Sequence, residues 1–187
     1  YLNKNKIELS RLFEYYKARE IEGTIDEDSG ATNRDSVKAI KKNGVCEEKL
    51  MPYNVDKFNV APSDAANINA KNYTITSYAL LNSLTGIKQA LAVSKPVIIG
   101  MDVFESFEDT GIAKTGKMPI PKDTEEYLGG HSVLVVGYID GKNPTKSLTG
   151  CLIIRNSWGI EWGDKGYFYM PYEYIKENTF DYWVMNK

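Results

Sequence analysis

One histidine stands out as a residue that could do chemistry. His131 is the only histidine of the 187 residues, and it follows two glycines at the start of the apolar run HSVLVVGYI. An imidazole can take up and release a proton near neutral pH, so this side chain could act as a general acid and base. A single histidine is nevertheless more often a structural or surface residue, and its partners must decide its role.

A second block that could take part is RNSWGIEWGDKGYFYM, residues 155–170. Asn156 is predicted to end a strand, and Trp158 and Trp162 follow it among closely spaced glycines. An asparagine at a strand end is usually a turn former, and two tryptophans near glycines equally suggest an aromatic corner of the core. Neither block is decisive alone, and the functional interpretation depends on their combination.

The two cysteines, Cys46 and Cys151, are the only thiols of the chain. They form neither a disulfide framework nor a multi-cysteine zinc site, although one bridge between them remains open. Cys151 lies five residues before Asn156 on one predicted strand, so the two would be about 17 Å apart and on opposite faces. Cys46 follows a predicted helix stop at Gly44. We interpret both as buried structural thiols.

Composition and charge argue against several classes of protein. The 23 basic and 25 acidic residues are well mixed and leave a formal net charge of −2, whereas nucleic-acid and membrane-surface binders need a basic face. No apolar run reaches the roughly 18–20 residues of a membrane span. One histidine and two separated cysteines do not make a transition-metal site. We therefore expect no cofactor, no metal, no nucleic-acid partner and no membrane partner.

The first part of the chain is predicted to be helical. Ser10 is predicted to cap one helix, and Thr32 to open another, with Asp35 completing a start similar to a capping box. Gly44 is predicted to stop that second helix. Before both, Tyr1–Leu2 has the pattern of the end of an earlier helix.

The second part is predicted to be mainly β. A short helix over residues 87–93, capped by Thr85, comes first, and residues 105–127 are predicted to be a long loop without secondary structure. Helices followed by antiparallel strands indicate an α+β fold, with a mostly helical lobe at residues 1–80 and an antiparallel β lobe at residues 81–187. The predicted strands are 97–104, 131–139, 151–156, 166–170 and 182–185, with a helical turn at 171–178.

Together these segments resemble the papain family of cysteine peptidases over nearly the whole chain. GGHSVLVVGYI and CLIIRNSWGIEWGDKGYFYM resemble the family's His and Asn blocks. DSGATNRDSVKAIKKNGVCEEKLMPY resembles its left-lobe stretch, and SRLFEYYKARE resembles the helix before that stretch. The resemblance implies the papain-like two-lobed fold, with a helical left lobe and an antiparallel β right lobe.

The resemblance also implies catalytic roles. A thiolate would be the nucleophile, because a neutral thiol attacks a carbonyl poorly. His131 would take the thiol proton and later protonate the leaving amine. Asn156 would accept a hydrogen bond from the other ring nitrogen and so orient the imidazole. Trp158 would cover that hydrogen bond and exclude water from it.

Further residues are implied to bind the substrate, which would be a peptide or protein. Ser29 and Gly30 would offer backbone groups to an extended peptide, which would pair with them as an added strand does. Gly130 would lie near the substrate without adding a side chain to a pocket. Trp158 would line the same site, with Trp162 on its leaving-group side.

The nucleophile is where this sequence departs from the family's pattern. In this family the His and Asn lie about 130–150 residues beyond the catalytic Cys. His131 is 130 residues beyond Tyr1, so that cysteine is expected at the very start of the sequence or upstream, with the oxyanion-hole Gln also upstream. We expect the fold here to lack its N-terminal portion, through processing, an incomplete sequence or loss. We also expect this chain alone to be inactive and to have that missing segment as a partner.

Three functions are consistent with these residues. The first is a papain-type cysteine endopeptidase that hydrolyses peptide bonds through a thioester acyl-enzyme. The second is a catalytically inactive papain-like module that holds peptides without cutting them. The third is a thiol-dependent transpeptidase or amide transferase, since the acyl-enzyme is shared and only the attacking group differs.

Overall fold

The structure is a computed structural model that describes residues 7–142 and 148–187. Helices precede antiparallel strands, which confirms the predicted α+β class. The helix end predicted at Tyr1–Leu2 lies outside the described residues, and within those residues no helix is long and apolar enough to cross a membrane. The elements in chain order are α1 (Arg11–Glu22), α2 (Asn33–Asn43), α3 (Asp64–Ala70), β1 (Ser77–Leu80), α4 (Leu84–Ala92), β2 (Val97–Phe104), α5 (Thr110–Thr115), β3 (Tyr127–Ile139), β4 (Cys151–Arg155), β5 (Tyr167–Pro171), α6 (Tyr172–Glu177) and β6 (Thr179–Asn186).

Contacts divide the chain into two units. The first ends at Tyr78 and also includes Met185–Lys187, and the second is Ala79–Val184. A unit of contacts is not by itself a domain, so the predicted lobes of residues 1–80 and 81–187 stay a prediction. Each unit has its own apolar core. Buried residues of the first core include Leu12, Phe13, Tyr16, Val45, Cys46 and Met51, and those of the second include Ile87, Val97, Ile99, Met101, Val135, Ile154 and Phe168.

Side-chain caps start the first two helices, as the sequence predicts. The Ser10 hydroxyl accepts the N–H of Phe13 at 3.0 Å, and the Thr32 hydroxyl accepts that of Asp35 at 3.2 Å. The N–H of Thr32 does not complete a capping box, because it donates to the carboxylate of Glu22 at 2.8 Å. The last turn of α1 therefore fixes the start of α2.

Gly44 ends α2, as predicted, for two physical reasons. Its φ of +76° lies in the left-handed region that favours glycine. A Cβ at this position would also stand 1.9 Å from the carbonyl oxygen of Ala70. The position thus requires both an unusual backbone conformation and the absence of a side chain.

The strands form one six-stranded sheet in the order β1-β6-β2-β3-β4-β5. The pairs β2–β6, β2–β3, β3–β4 and β4–β5 are antiparallel, as predicted. Along β2, the alternate residues Val97, Ile99, Met101 and Val103 are buried, so this face of the strand packs on the core.

Residues 105–127 are not the structureless loop that the sequence predicts. A 3-10 helix occupies Glu105–Phe107, α5 follows, and β3 begins at Tyr127. Phe107 and Ile112 are buried and anchor the segment to the core. The prediction was wrong because a helix of one to two turns is too short to leave a periodic pattern.

The start of α4 also differs from the prediction. Ser83, and not Thr85, is the N-cap, since its hydroxyl accepts the N–H of Gly86 at 3.1 Å. Thr85 is the second residue of the helix, and the capping hydroxyl must come from the residue directly before the helix.

We expect Gly44→Ala to destabilise the protein by about 3 kcal/mol or more, because it adds a clash with fixed backbone to roughly 1–2 kcal/mol of left-handed strain. Gly23→Ala is the matched control, since Gly23 has a φ of +77° but nothing within 4 Å of its added Cβ. Urea unfolding of both variants measures the difference. Equal losses of stability would contradict the argument.

Candidate active site

β3 holds His131 in the second unit, beside β2. His131 pairs with Met101, and the strand begins at Tyr127, four residues before the start that the sequence predicts. Val133 and Val135 share the parity of His131 along the strand and are buried. Strand alternation therefore places the imidazole on the face of β3 that packs on the core.

β4 carries Asn156 toward the histidine. The strand ends at Arg155, which pairs with Leu134 of β3, and Asn156 is the next residue. The Asn156 N–H donates to the carbonyl of Gly166 at 2.9 Å, which holds the strand end against the turn before β5. Because the two strands are antiparallel, continuing past Arg155 leads toward His131.

The side chains of His131 and Asn156 are hydrogen-bonded, with Nε2 2.9 Å from Oδ1. The same Oδ1 accepts the N–H of Ser157 at 2.9 Å. A backbone N–H can only donate, so the amide atom that faces it is the oxygen, and the amide orientation is set. Nε2 must then carry a hydrogen to donate, and Nδ1 is the ring nitrogen that can exchange a proton.

This arrangement has a cost in stability. Asn156 is only 7% exposed, and among the described residues its Nδ2 has no hydrogen-bond partner. An unsatisfied buried donor costs about 1–3 kcal/mol. A polar group kept at such a cost is typical of a functional site, where geometry matters more than stability.

Trp158 and Trp162 pack against each other, with Trp158 next to His131. The ring of Trp158 stacks on the imidazole, with centroids 5.4 Å apart and planes at 29°. Trp162 contacts Trp158 edge-on at 5.1 Å. That Trp158 covers the His131–Asn156 hydrogen bond and excludes water from it stays a prediction. Trp158 itself stays 42% exposed, so part of its ring is open to solvent.

Phe107, which the sequence analysis missed, lies at the centre of this aromatic cluster. It is 1% exposed, and its ring centroid lies between 5.3 and 6.2 Å from four others. An isolated aromatic residue in a polar segment was the available signal, because such residues usually anchor a loop to the core. The four neighbouring rings belong to His131, Trp158, Trp162 and Phe168.

Trp162 is half-buried and packs against the core of the second unit. The N–H of the next residue, Gly163, donates to the carbonyl of Ala113 on α5 at 2.6 Å. A Cβ on Gly163 would stand 2.4 Å from the carbonyl oxygen of Tyr167, so only glycine permits this approach. α5 thereby fixes the turn that carries Trp162, whose place on the leaving-group side stays a prediction.

Gly130 is exposed on β3, directly before His131. It pairs with Asp102 of β2, and an added Cβ would meet only the ring of Phe180, at 3.6 Å. A side chain at this position would therefore begin in ordinary contact with Phe180. The role of Gly130 in substrate binding stays a prediction.

Ser29 and Gly30 belong to the first unit, in the exposed turn between α1 and α2. Gly30 has a φ of +80°, and its N–H donates to the hydroxyl of Tyr15 at 3.0 Å. The Gly30 amide thus already has an acceptor, which the sequence did not indicate. The role of the two residues in peptide binding stays a prediction.

Neither cysteine is placed to act as the nucleophile. Both are free and buried, so the bridge that the sequence left open is not formed. Cys151 pairs with Ile139, which lies eight residues along β3 from His131, about 26 Å away. Cys46 is fully buried in the core of the first unit. Burial raises the pKa of both thiols, which disfavours the thiolate.

The polar groups at this site are an imidazole and a carboxamide. Within residues 7–142 and 148–187, no group of three or more His, Cys, Asp or Glu side chains could hold a metal ion. The site that His131 and Asn156 form offers proton transfer and hydrogen bonding.

Known proteins share this arrangement of sequence and fold. A profile described as papain family cysteine protease matches residues 23–185, a range that includes both His131 and Asn156. The chain belongs to the papain family of cysteine proteases. Its assignment to a family of thiol-dependent hydrolases agrees with the resemblance seen in the sequence.

Individual relatives support the same assignment. A peptidase C1-like protein of Acanthamoeba polyphaga mimivirus is 38% identical over 196 residues, which cover 99% of this chain and 61% of the relative. Xylellain, a cysteine protease from Xylella fastidiosa, superposes with a TM-score of 0.89 at 36% identity, over 99% of this chain and 72% of its own. Bromelain from Ananas comosus, at 20% identity and a TM-score of 0.67 over 99% of this chain and 80% of its own, supports the papain-like fold alone. The chain thus spans about three fifths of the mimivirus relative.

We expect Cys46 and Cys151 to resist alkylation in the native protein. Both thiols are buried and their pKa is raised, so iodoacetamide labelling at mildly alkaline pH should be at least about 100-fold slower than in concentrated urea. Mass spectrometry of timed samples measures both rates. Fast native labelling of either cysteine would contradict its burial.

We expect Phe107→Ala to lower the free energy of unfolding by about 3–5 kcal/mol, since it leaves a cavity among four rings. Phe180→Ala is the matched control, because Phe180 is 60% exposed and its truncation should cost about 1 kcal/mol or less. Urea unfolding measures both losses, and near-ultraviolet circular dichroism reports whether the tryptophans stay ordered. A small loss for Phe107→Ala would contradict its central place in the cluster.

Proposed function

We propose that this chain carries the acid–base part of a papain-type cysteine endopeptidase, which hydrolyses peptide bonds through a thioester acyl-enzyme. The observation that supports this most directly is the hydrogen bond from His131 Nε2 to Asn156 Oδ1. It holds the imidazole in one orientation and one tautomer, as an acid–base catalyst requires.

In the acylation half of the reaction, Nδ1 of His131 takes the proton of a cysteine thiol, leaving a thiolate and an imidazolium. The sulfur attacks the carbonyl carbon of the peptide bond and forms a tetrahedral intermediate. As the C–N bond breaks, the imidazolium gives its proton to the departing amine, and a thioester remains.

In the deacylation half, Nδ1 accepts a proton from a water molecule whose oxygen attacks the thioester. Breaking of the C–S bond releases the acid and restores the thiolate and imidazolium. Asn156 stays neutral throughout and keeps accepting from Nε2–H. A hydrogen bond from a charged ring is stronger than one from a neutral ring, so Asn156 keeps the imidazole oriented in both steps.

The thiolate in this scheme comes from a cysteine outside the 187 residues, on their N-terminal side, where the family's spacing predicts it. The burial and raised pKa of Cys46 and Cys151 argue against either as the source. A segment with that cysteine is therefore the proposed partner of this chain.

The proposed substrate is an extended segment of a peptide or protein. Ser29 and Gly30 are exposed and would pair with its backbone. Gly130 and the open part of Trp158 would contact it beside His131, and Trp162 would support Trp158 on the leaving-group side.

A second candidate function is favoured by the placement of the two cysteines. Because neither is a suitable nucleophile, the 187 residues by themselves would bind peptides without cutting them. The two candidates differ in what happens when the full-length protein meets a peptide: hydrolysis in the first case, and binding without turnover in the second.

The decisive experiment treats the full-length protein with a peptidyl vinyl sulfone, which alkylates activated thiolates. We expect one cysteine outside the 187 residues to be labelled, and His131→Ala to slow labelling and peptide hydrolysis by about 10²- to 10⁴-fold. Asn156→Ala should slow both by less, because the imidazole remains and loses only its orientation.

Asn72→Ala serves as the control for Asn156→Ala, since Asn72 lies exposed in the turn after α3. Near-ultraviolet circular dichroism establishes that each variant is folded. Folded full-length protein that is not labelled, or that is labelled equally fast in His131→Ala, would overturn the proposed peptidase function. Peptide binding without turnover would favour the second candidate.

A further inference from the structure

Tyr15 and Arg19 of α1 hold the exposed turn that carries Ser29 and Gly30. The two residues are one helical turn apart and therefore lie on one face of α1. The guanidinium carbon of Arg19 lies 4.1 Å from the centroid of the Tyr15 ring, a cation–π contact that orders both side chains.

Arg19 binds the first half of the turn through backbone carbonyls. Its Nη1 donates to the oxygens of Thr24 at 3.3 Å, Ile25 at 2.7 Å and Glu27 at 2.9 Å, and its Nη2 donates to that of Phe58. The side chain is fully buried, and in the described structure no carboxylate forms a salt bridge with it. The four backbone carbonyls are therefore the groups that compensate the buried charge of Arg19. Displacing them would leave that charge without hydrogen-bond acceptors, which would be strongly unfavourable.

Tyr15 binds the second half of the turn through its hydroxyl. The hydroxyl donates to Asp28 Oδ1 at 2.6 Å and accepts the N–H of Gly30 at 3.0 Å. Donation to a carboxylate makes the hydroxyl oxygen a better acceptor. Among the described residues, this is the one hydrogen bond made by the backbone of Ser29 or Gly30.

The conformation of Gly30 explains why such a contact is needed. Its φ is +80°, and an added Cβ would meet nothing within 4 Å. Glycine is therefore favoured at this position by the backbone conformation and not by a lack of space for a side chain. A glycine in an exposed turn is free to leave that conformation, because no side chain restricts it. The hydroxyl of Tyr15 restrains the peptide group directly.

We propose that Tyr15 is a positioning residue for peptide binding. Its hydroxyl holds the Gly30 amide, and the carbonyls of Ser29 and Gly30 stay open to accept N–H groups of an extended peptide. Arg19 provides the rigid base from which Tyr15 acts. The inference rests on the proposed function, because it takes the Ser29–Gly30 segment as the peptide-binding one.

The first test does not depend on catalysis. Amide hydrogen exchange is measured at Gly30 in the full-length protein and in Tyr15→Phe, which removes only the hydroxyl. We expect exchange at Gly30 to be about tenfold faster or more in the variant, with α1 unchanged. The matched control is Tyr53→Phe, because Tyr53 is exposed and its hydroxyl makes no hydrogen bond in the described structure. Unchanged exchange in Tyr15→Phe would overturn the proposal.

The second test separates positioning from stability. For a peptide substrate, Tyr15→Phe should raise KM about two- to tenfold, the range for one lost hydrogen bond, and leave kcat unchanged. Asp28→Asn should give a smaller rise, since the hydroxyl keeps a weaker acceptor. An unchanged KM would mean a purely structural role, and a lower KM would mean that the hydroxyl competes with the substrate; either result overturns the proposal.

Failure of the proposed peptidase function gives a different result. If the full-length protein hydrolyses no peptide, calorimetry with the same peptide still measures its affinity, and Tyr15→Phe should weaken that affinity by the same two- to tenfold, about one hydrogen bond. Binding that is equal in both proteins, or absent from both, would overturn the inference about Tyr15.

Discussion

The hydrogen bond between His131 and Asn156 is the interaction on which this site depends. It joins a side chain of β3 to that of the residue after β4 at 2.9 Å, and a hydrogen bond weakens steeply when its distance or angle changes. The antiparallel pairing of β3 and β4 supplies the position, and the N–H of Ser157 supplies the orientation of the amide. The backbone thereby determines that Nδ1 of His131, and not Nε2, is the ring nitrogen that can exchange a proton.

A bulge in β3 is part of this constraint. The register of β3 against β4 shifts between Val135 and Gly137, so the pairing beyond the bulge is offset by one residue from the pairing near His131. A shift of one residue exchanges the two faces of a strand relative to its partner. Because the bulge lies beyond Val135, the pairs Leu134–Arg155 and Val135–Ile154 keep the register that leads Asn156 toward His131.

The aromatic cluster and the orphan amide show how stability and function are balanced here. Burial of Phe107 among four rings contributes stability, whereas the buried Nδ2 of Asn156, which has no partner in the described structure, costs stability. A fold can keep such an unfavourable group at a functional site when packing elsewhere offsets its cost. In the first unit, Arg19 has a similar role, since a buried cation fixes an exposed turn through carbonyl groups.

Residue types and spacing alone determined the α+β class, the antiparallel sheet, the caps at Ser10 and Thr32 and the stop at Gly44. These features depend on local patterns, namely a hydroxyl three residues before an amide, the alternation along a strand and a glycine that ends a helix. The His131–Asn156 pair was instead implied by the resemblance of the two blocks to the papain family. Only the tertiary structure decided the others. The place of Phe107, the free thiols and the contact from Tyr15 to Gly30 depend on residues distant in sequence, and no local pattern records which of them meet.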